Sequence, residues 1–481
     1  MINAKEMNKL GLPDHPKIMP LALSVVNKAI KGGLSHPDML ERLSRLMSDP
    51  QSLLDDDLFA RLAEAVIEVF PAGIRFVPRS EPAPWKKWGD IALEDSAIMQ
   101  MQKAAMLPVA VRGALMPDAH TGYGLPIGGV LAVKGAVIPY AVGVDIACRM
   151  RLSVLDMPVS ALRQKRESLI QALEEETRFG MGAAFDREHR RNHAVMEEDW
   201  DVCNVTSRLK DKAWKQLGTS GGGNHFVEFG ELILEAPAFG LEKGTYLALL
   251  SHSGSRGTGE EIAESYSNLA MSLRPYLPQD MKHLAWLELE SSEGREYWAA
   301  MQLMGRYAAA NHELIHRYVL ANLGAEALAH VENHHNFAWE EEHDGEVVIV
   351  HRKGATPAGK GVLGVVPGSM GAPGFVVCGK GNADALNSCS HGAGRLMSRT
   401  VALKTLDREE VRRFLEDVGV HLISGGLDEA PMAYKDIHAV MAAQSDLVDI
   451  LARFEPRLVK MAPDGVGDKN KRYKKKRGGR R

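Results

Sequence analysis

Eight short islands of polar residues set in glycine punctuate the middle of this chain, several of them directly after apolar, β-branched runs. They read "MPDAHTGYG" (116–124), "GVDIAC" (143–148), "GTSGGGNHFVE" (218–228), "SHSGSRGTG" (251–259), "ENHHN" (332–336), "HRKGATPAGKG" (351–361), "VPGSMG" (366–371) and "SHGAGRLMSR" (390–399). Most put a His, Cys, Asp or Arg beside residues that allow tight turns. One such island is commonplace. Eight in one chain point to a single composite site, built from loops at the ends of strands.

The runs between the islands set the fold class. "IGGVLAVKGAVIPYAVGV", "YLALLSHSGS", "EVVIVHRKG" and "GFVVCG" alternate with helical stretches, which predicts a mixed α/β (α+β) body over 86–462. The run "VGVDIACRM" (142–150) reads as strand-like, yet carries Asp145 and Cys148 three residues apart. Residues 1–80 form a helical N-terminal extension on this reading. "HPDMLERLSRLM" and "DDDLFARLAEAVIEVF" space apolar residues three and four apart, and Asp55 to Asp57 suit an N-terminal cap. "VPRSEPAPW" (77–85) breaks the pattern with three prolines.

Composition excludes several classes. With 481 residues and 45% hydrophobic content, the chain has ample material for a large core. No apolar stretch is long enough to cross a membrane, and the first residues lack the basic-then-apolar order of a signal peptide. Four cysteines suit a reducing compartment, so a cytosolic (cytoplasmic) protein is expected. Residues 469–481 hold nine of the 58 basic residues and no acidic one, which leaves an acidic body with a basic, disordered tail over 463–481. Such a tail suits a sequence-independent hold on phosphates.

The donor types suggest metal chemistry. Asp145, Cys148, His225, His252 and a histidine of His334/His335 offer an O, S, N, N, N set. A thiolate can bridge two divalent ions while imidazole and carboxylate complete each sphere, which suits manganese or zinc. His391 sits at a glycine-rich turn that leads into a helix, with Arg395 and Arg399 along one face of it. A histidine beside two cationic forks suits attack on phosphorus, with the arginines holding phosphates. Two further motifs are decoys. "HELIH" (312–316) matches the zinc-protease pattern, but three fixed positions recur by chance and the polar face of an amphipathic helix explains them. "GATPAGKG" (354–361) misses the phosphate-loop motif at Gly361, where a magnesium-binding hydroxyl belongs.

In this order the islands resemble the motifs of the RtcB family of RNA ligases, over roughly Trp85 to Ala462. The resemblance implies an enzyme with that family's own α/β fold, which uses GTP and two manganese ions. It implies joining of an RNA 3′-phosphate or 2′,3′-cyclic phosphate to a 5′-hydroxyl, in tRNA splicing or RNA repair. By resemblance, Cys148 bridges the ions, Asp145 and His225 complete one, and His252 and His335 complete the other. His335 is favoured over His334 because the family ligand directly precedes the asparagine. His391 matches the nucleophile that takes up GMP. Asn224, Glu228, Ser369 and Lys460 match nucleotide contacts, with Glu228 on the guanine base. Arg256, Arg395 and Arg399 match positions that hold RNA phosphates. Broken RNA is the implied partner, with archease as an activator in many members. The N-terminal extension and the basic tail depart from the family pattern.

Overall fold

The computed structural model describes residues 15–70, 76–89 and 91–464, together with Ala4, Met7 and Leu12. It is a mixed α/β architecture organised on two sheets. The larger has eight strands. From edge to edge run Leu363–Val366, Gly374–Gly379, Val448–Met461, Phe226–Leu234, Gly244–Ser253, Arg149–Leu155 and Ala327–His334, all antiparallel. His421–Ser424 pairs in parallel beside Val448–Met461.

Both faces of this sheet are apolar, so both are covered. On one face Leu155, Val227, Phe229, Leu247, Leu249 and Leu458 pack against Leu169 and Leu173 of the helix Arg166–Glu176 and Ile315 and Val319 of the helix Ser292–Leu323. On the other, Met150, Leu152, Leu232, Leu250, Val331, Val365, Val376 and Phe454 pack on one another. That self-packing needs a curved sheet, and its two edges meet. The Val365 N–H donates to Asn333 Oδ1 at 2.7 Å, and Asn333 Nδ2 donates to the Val365 carbonyl at 3.5 Å. One buried carboxamide thus satisfies backbone groups that a further strand would otherwise pair.

The smaller sheet has five strands, in the order Trp85–Lys87, Ala110–His120, Ile127–Val133, Glu346–Lys353 and Asn336–His343. The chain passes from the larger sheet to the smaller at His335, the one residue between Ala327–His334 and Asn336–His343. Register explains where the islands meet. Met150 pairs with His252, Phe226 with His252, and Arg149 with His334. Loops 143–148, 218–225 and 254–255 therefore converge on one rim of the larger sheet, beside His335.

"VGVDIACRM" is mostly loop rather than strand. Pro139–Val142 is a short helical turn, Gly143 takes φ 104° and Ala147 takes φ 56°, so the strand begins only at Arg149. The helical N-terminal region is present as Met19–Lys31, His36–Ser48 and Ala60–Val69. It has its own core around Met39, Leu46, Phe59 and Leu62, against which Tyr276 of the body packs. Of the three aspartates at 55–57, Asp56 accepts the Leu58 and Phe59 N–H groups, both at 3.0 Å. It caps the turn before the helix rather than the helix itself. Among the described residues no helix is long and apolar enough to cross a membrane. The basic segment 469–481 lies outside the described residues.

Candidate functional site

The rim gathers the five donors expected from the sequence. Cys148 Sγ lies 3.3 Å from His225 Nε2 and 3.1 Å from His252 Nε2. Beyond His225, Asp145 Oδ2 is 2.8 Å from the same Nε2; beyond His252, His335 Nε2 is 3.2 Å away. The thiol thus stands between an Asp–His pair and a His–His pair. Two ligands about 2.1 Å from one ion at a tetrahedral angle stand about 3.4 Å apart, so these spacings suit shared ions.

The chemistry of the set also fits a metal. Cys148, His225, His252 and His335 are all buried, and Asp145 Oδ1 is buried with no hydrogen-bond partner among the described residues. A buried carboxylate oxygen left unpaired is costly unless something completes it. Burial pushes the Cys148 thiol well above its ordinary pKa, with the Asp145 carboxylate adding to the effect. Burial likewise pushes His252 down to about 3, so it is a neutral imidazole. A divalent ion reverses the penalty on the thiolate and needs the neutral imidazole. His334 belongs elsewhere: it packs its ring on Phe337 and Trp339.

A cleft of about 280 Å³ opens beside the donors. His391, Asn224, Glu228, Ser369, Arg395 and Arg399 all line it, as does His252. The His391 ring is 5.0 Å from that of His335. Asp118 orients it: Oδ2 accepts from His391 Nδ1 at 2.6 Å, from the His391 N–H at 3.2 Å and from the Gly392 N–H at 3.4 Å. Burial raises the Asp118 carboxyl, but the charges of His391, His120 and Lys435 outweigh it and hold the pKa below normal. The carboxylate fixes the ring and leaves Nε2 for chemistry. Glu228 contrasts with it. Among the described residues no partner opposes its desolvation, which pushes its carboxyl well above the usual range.

Asp118 lay inside a quoted motif, yet the sequence supplied no partner for it, because His391 is 273 residues away. Lys353 was likewise without a role. It is buried, its Nζ donates to the Tyr123 carbonyl at 2.5 Å, and burial pushes it down to about 7. It precedes Gly354, where an added Cβ would come within 3.1 Å of His391 Cε1.

Three sequence expectations change. Arg395 is not on a helix with Arg399. Gly394 takes φ 73° and packs so closely on the Asp118 carbonyl that a Cβ would come within 2.1 Å of it, so the chain stays irregular until the helix Arg399–Thr405. The two arginines converge nonetheless, because Glu429 takes Arg395 at 3.1 Å and Arg399 at 2.6 Å. Arg256 is buried away from the cleft, donating to Thr219 Oγ1 at 3.2 Å and to the Gly180 carbonyl at 3.0 Å. It braces the loop of His225 instead of presenting a fork. Lys460 sits between Val459 and Met461, which line the cleft, so strand alternation turns it to the opposite face. There Nζ donates to the Leu173 carbonyl at 2.8 Å.

"HELIH" is no protease site. His312 and His316 are buried, and both bond Ser251 Oγ, at 2.6 and 2.8 Å, while His316 also bonds Ser153 Oγ at 2.8 Å. They are core polar residues behind the sheet, not the exposed polar face of an amphipathic helix.

Comparison with known proteins agrees with this geometry. The family model described as tRNA-splicing ligase RtcB matches residues 100–461. RNA-splicing ligase RtcB of Escherichia coli (strain K12) is 34% identical over 406 residues, covering 77% of this chain and 96% of that protein. tRNA-splicing ligase RtcB of Nanoarchaeum equitans is 32% identical over 440 residues, 76% of this chain and 91% of that protein. RNA-splicing ligase RtcB of Mycobacterium tuberculosis is 32% identical over 429 residues, 74% of this chain and 99% of that protein. The matched span includes the thiol, the carboxylates and every histidine gathered at the rim, and the chain belongs to the RtcB family.

Proposed function

We propose that this protein is an RNA ligase of tRNA splicing or RNA repair, which uses GTP to join a 3′-phosphate or 2′,3′-cyclic phosphate end to a 5′-hydroxyl end. The observation that carries the reading is His391, held through Nδ1 by a buried carboxylate, in a cleft lined by two arginines and bordered by the Cys148–His225–His252 cluster. A neutral imidazole oriented in this way is a nucleophile near neutral pH. His391 Nε2 would attack the α-phosphorus of GTP, form a P–N bond to GMP and expel pyrophosphate. An RNA 3′-phosphate, freed by hydrolysis where the end is cyclic, would displace the histidine and take up GMP. Attack by the 5′-hydroxyl would then form the phosphodiester and release GMP.

Asp145, Cys148, His225, His252 and His335 would hold two divalent ions, manganese by family expectation. These would neutralise phosphate charge and steady the leaving group. Glu228 would accept from the guanine N1–H and NH₂ groups, which adenine does not match. Asn224 and Ser369 line the cleft where nucleotide phosphates and sugar would lie, and Arg395 and Arg399 would engage RNA phosphates.

The test is covalent labelling. Protein incubated with α-labelled GTP and manganese should carry label after denaturation, acid-labile and alkali-stable. His391→Ala should carry none, and α-labelled ATP should label poorly. If metal-loaded wild type takes up no label, with and without archease, the reading fails.

A further inference from the structure

We propose that Asn311 is a positioning residue for the divalent-metal centre, tying the loop that carries His225 to the turn that follows the strand of His252; this rests on the metal reading above. Asn311 lies on the helix Ser292–Leu323, behind the larger sheet, and is fully buried. Its Oδ1 accepts the Gly218 N–H at 2.9 Å, and its Nδ2 donates to the Gly254 carbonyl at 3.0 Å. Gly218 opens the loop that ends at His225. Gly254 follows His252 by two residues. The loops are distant in sequence, and one side chain spans them.

The third ligand is coupled to the same bond. At Gly254 an added Cβ would come within 2.2 Å of Asp145 Oδ1, so this peptide lies directly against the Asp145 carboxylate. Holding the Gly254 carbonyl therefore fixes the wall on which Asp145 rests. Other side-chain bonds also join the two segments: His252 Nδ1 bonds the Asn224 carbonyl at 3.0 Å, Arg256 Nε donates to Thr219 Oγ1 at 3.2 Å, and Ser220 Oγ and Ser253 Oγ reach the His252 and Thr219 carbonyls, each at 3.5 Å. Asn311 differs from these in reaching both segments from the helix behind the sheet, at 2.9 and 3.0 Å.

The residue type is what the task needs. Asparagine is a poor helix former, and a buried carboxamide must have its donors and acceptors met. Only a carboxamide of this length offers an acceptor to one loop and a donor to the other. An aspartate cannot donate to Gly254, and a leucine can do neither. A long helix packed on the sheet is a rigid mount, which suits the small positional tolerance of a metal site.

The experiment uses full-length, metal-stripped protein titrated with Mn²⁺ alone, well below the melting temperature, with free Mn²⁺ read by electron paramagnetic resonance. Asn311→Leu keeps the shape and removes both bonds, and should weaken affinity by about 10- to 100-fold, the usual cost of losing an outer-shell partner. Val319→Ala on the same helix makes a cavity without touching either loop, and should bind as wild type does. Asn311→Ala leaves room for water at the freed groups, folds more readily, and should lose affinity in the same direction. Wild-type affinity in a folded Asn311 variant would overturn the proposal, as would an equal loss in Val319→Ala. A wild type that binds no Mn²⁺ would instead sink the metal reading beneath it.

Discussion

Replacing Asp118 by asparagine should slow the first covalent step while leaving the fold intact. The carboxylate is fully buried and takes three N–H groups on one oxygen, the shortest from His391 Nδ1 at 2.6 Å. Asparagine keeps the volume and an acceptor but removes the charge. The bond to His391 then changes from charge-assisted to neutral, a loss of about 1.5–3 kcal/mol if the whole charged contribution is needed in the transition state. At 1.36 kcal/mol per decade that is about 10- to 150-fold in rate. The other carboxylate oxygen has no partner among the described residues, so the new NH₂ group there lacks an acceptor and should lower the melting temperature by the equivalent of about 1–3 kcal/mol without unfolding the protein. Asp118→Ala should cost more, because it strands the buried His391 and Gly392 N–H groups as well. The assay is a single-turnover time course of label transfer from α-labelled GTP, with melting temperatures measured alongside. A folded Asp118→Asn protein that labels within twofold of the wild-type rate would refute the orienting role.

Four further outcomes are expected. Because burial raises the Glu228 carboxyl in the free protein, binding guanine to its ionised form must release a proton. GTP affinity, measured in the His391→Ala background, should therefore weaken by up to about tenfold per unit as pH falls below that pKa, and Glu228→Gln should lose this slope and the preference over ATP. Chelation should lower the melting temperature of wild type, by the equivalent of about 2.7 kcal/mol from metal at a hundred times its Kd, but not that of Cys148→Ser. Removing residues 469–481 should flatten the plot of log RNA affinity against log salt by about three units if half of the basic residues meet phosphates; an unchanged slope would exclude that use of the tail. His312→Ala should leave ligation largely intact while lowering stability by about 1–3 kcal/mol, read from denaturant melts, since it removes a buried partner of Ser251.

Much of the site was legible because glycine-set motifs mark strand ends whatever the pairing order. Asp145, Cys148, His225, His252 and His335 meet because antiparallel register brings those ends to one rim, and the donor types already pointed to a metal. Side-chain direction was harder to read. A motif match puts Lys460 on the right strand but cannot say which face it takes, and one residue of alternation decides it. The helical placement of Arg395 failed for a local reason, since the tight approach of Gly394 to Asp118 delays the helix. Asp118 escaped because its function depends wholly on a partner brought by tertiary folding. The helical N-terminal region was visible from periodicity alone, since its core is local.

The place where the chain changes sheets has a mechanical consequence. Cys148, His225 and His252 ride on the larger sheet. His391 hangs from Asp118, on the strand Ala110–His120 of the smaller one. His335 is the pivot between the two, its ring 5.1 Å from His252 and 5.0 Å from His391. Alignment of His391 with the donors therefore depends on the angle between the two sheets at this one-residue junction. A rotation of about 10° on a ~5 Å arm moves a ring by about 0.9 Å, the scale of misplacement that costs about 10²-fold in rate. Substitutions far from the cleft that twist one sheet against the other should thus reach the chemistry through this residue, with every donor still in place.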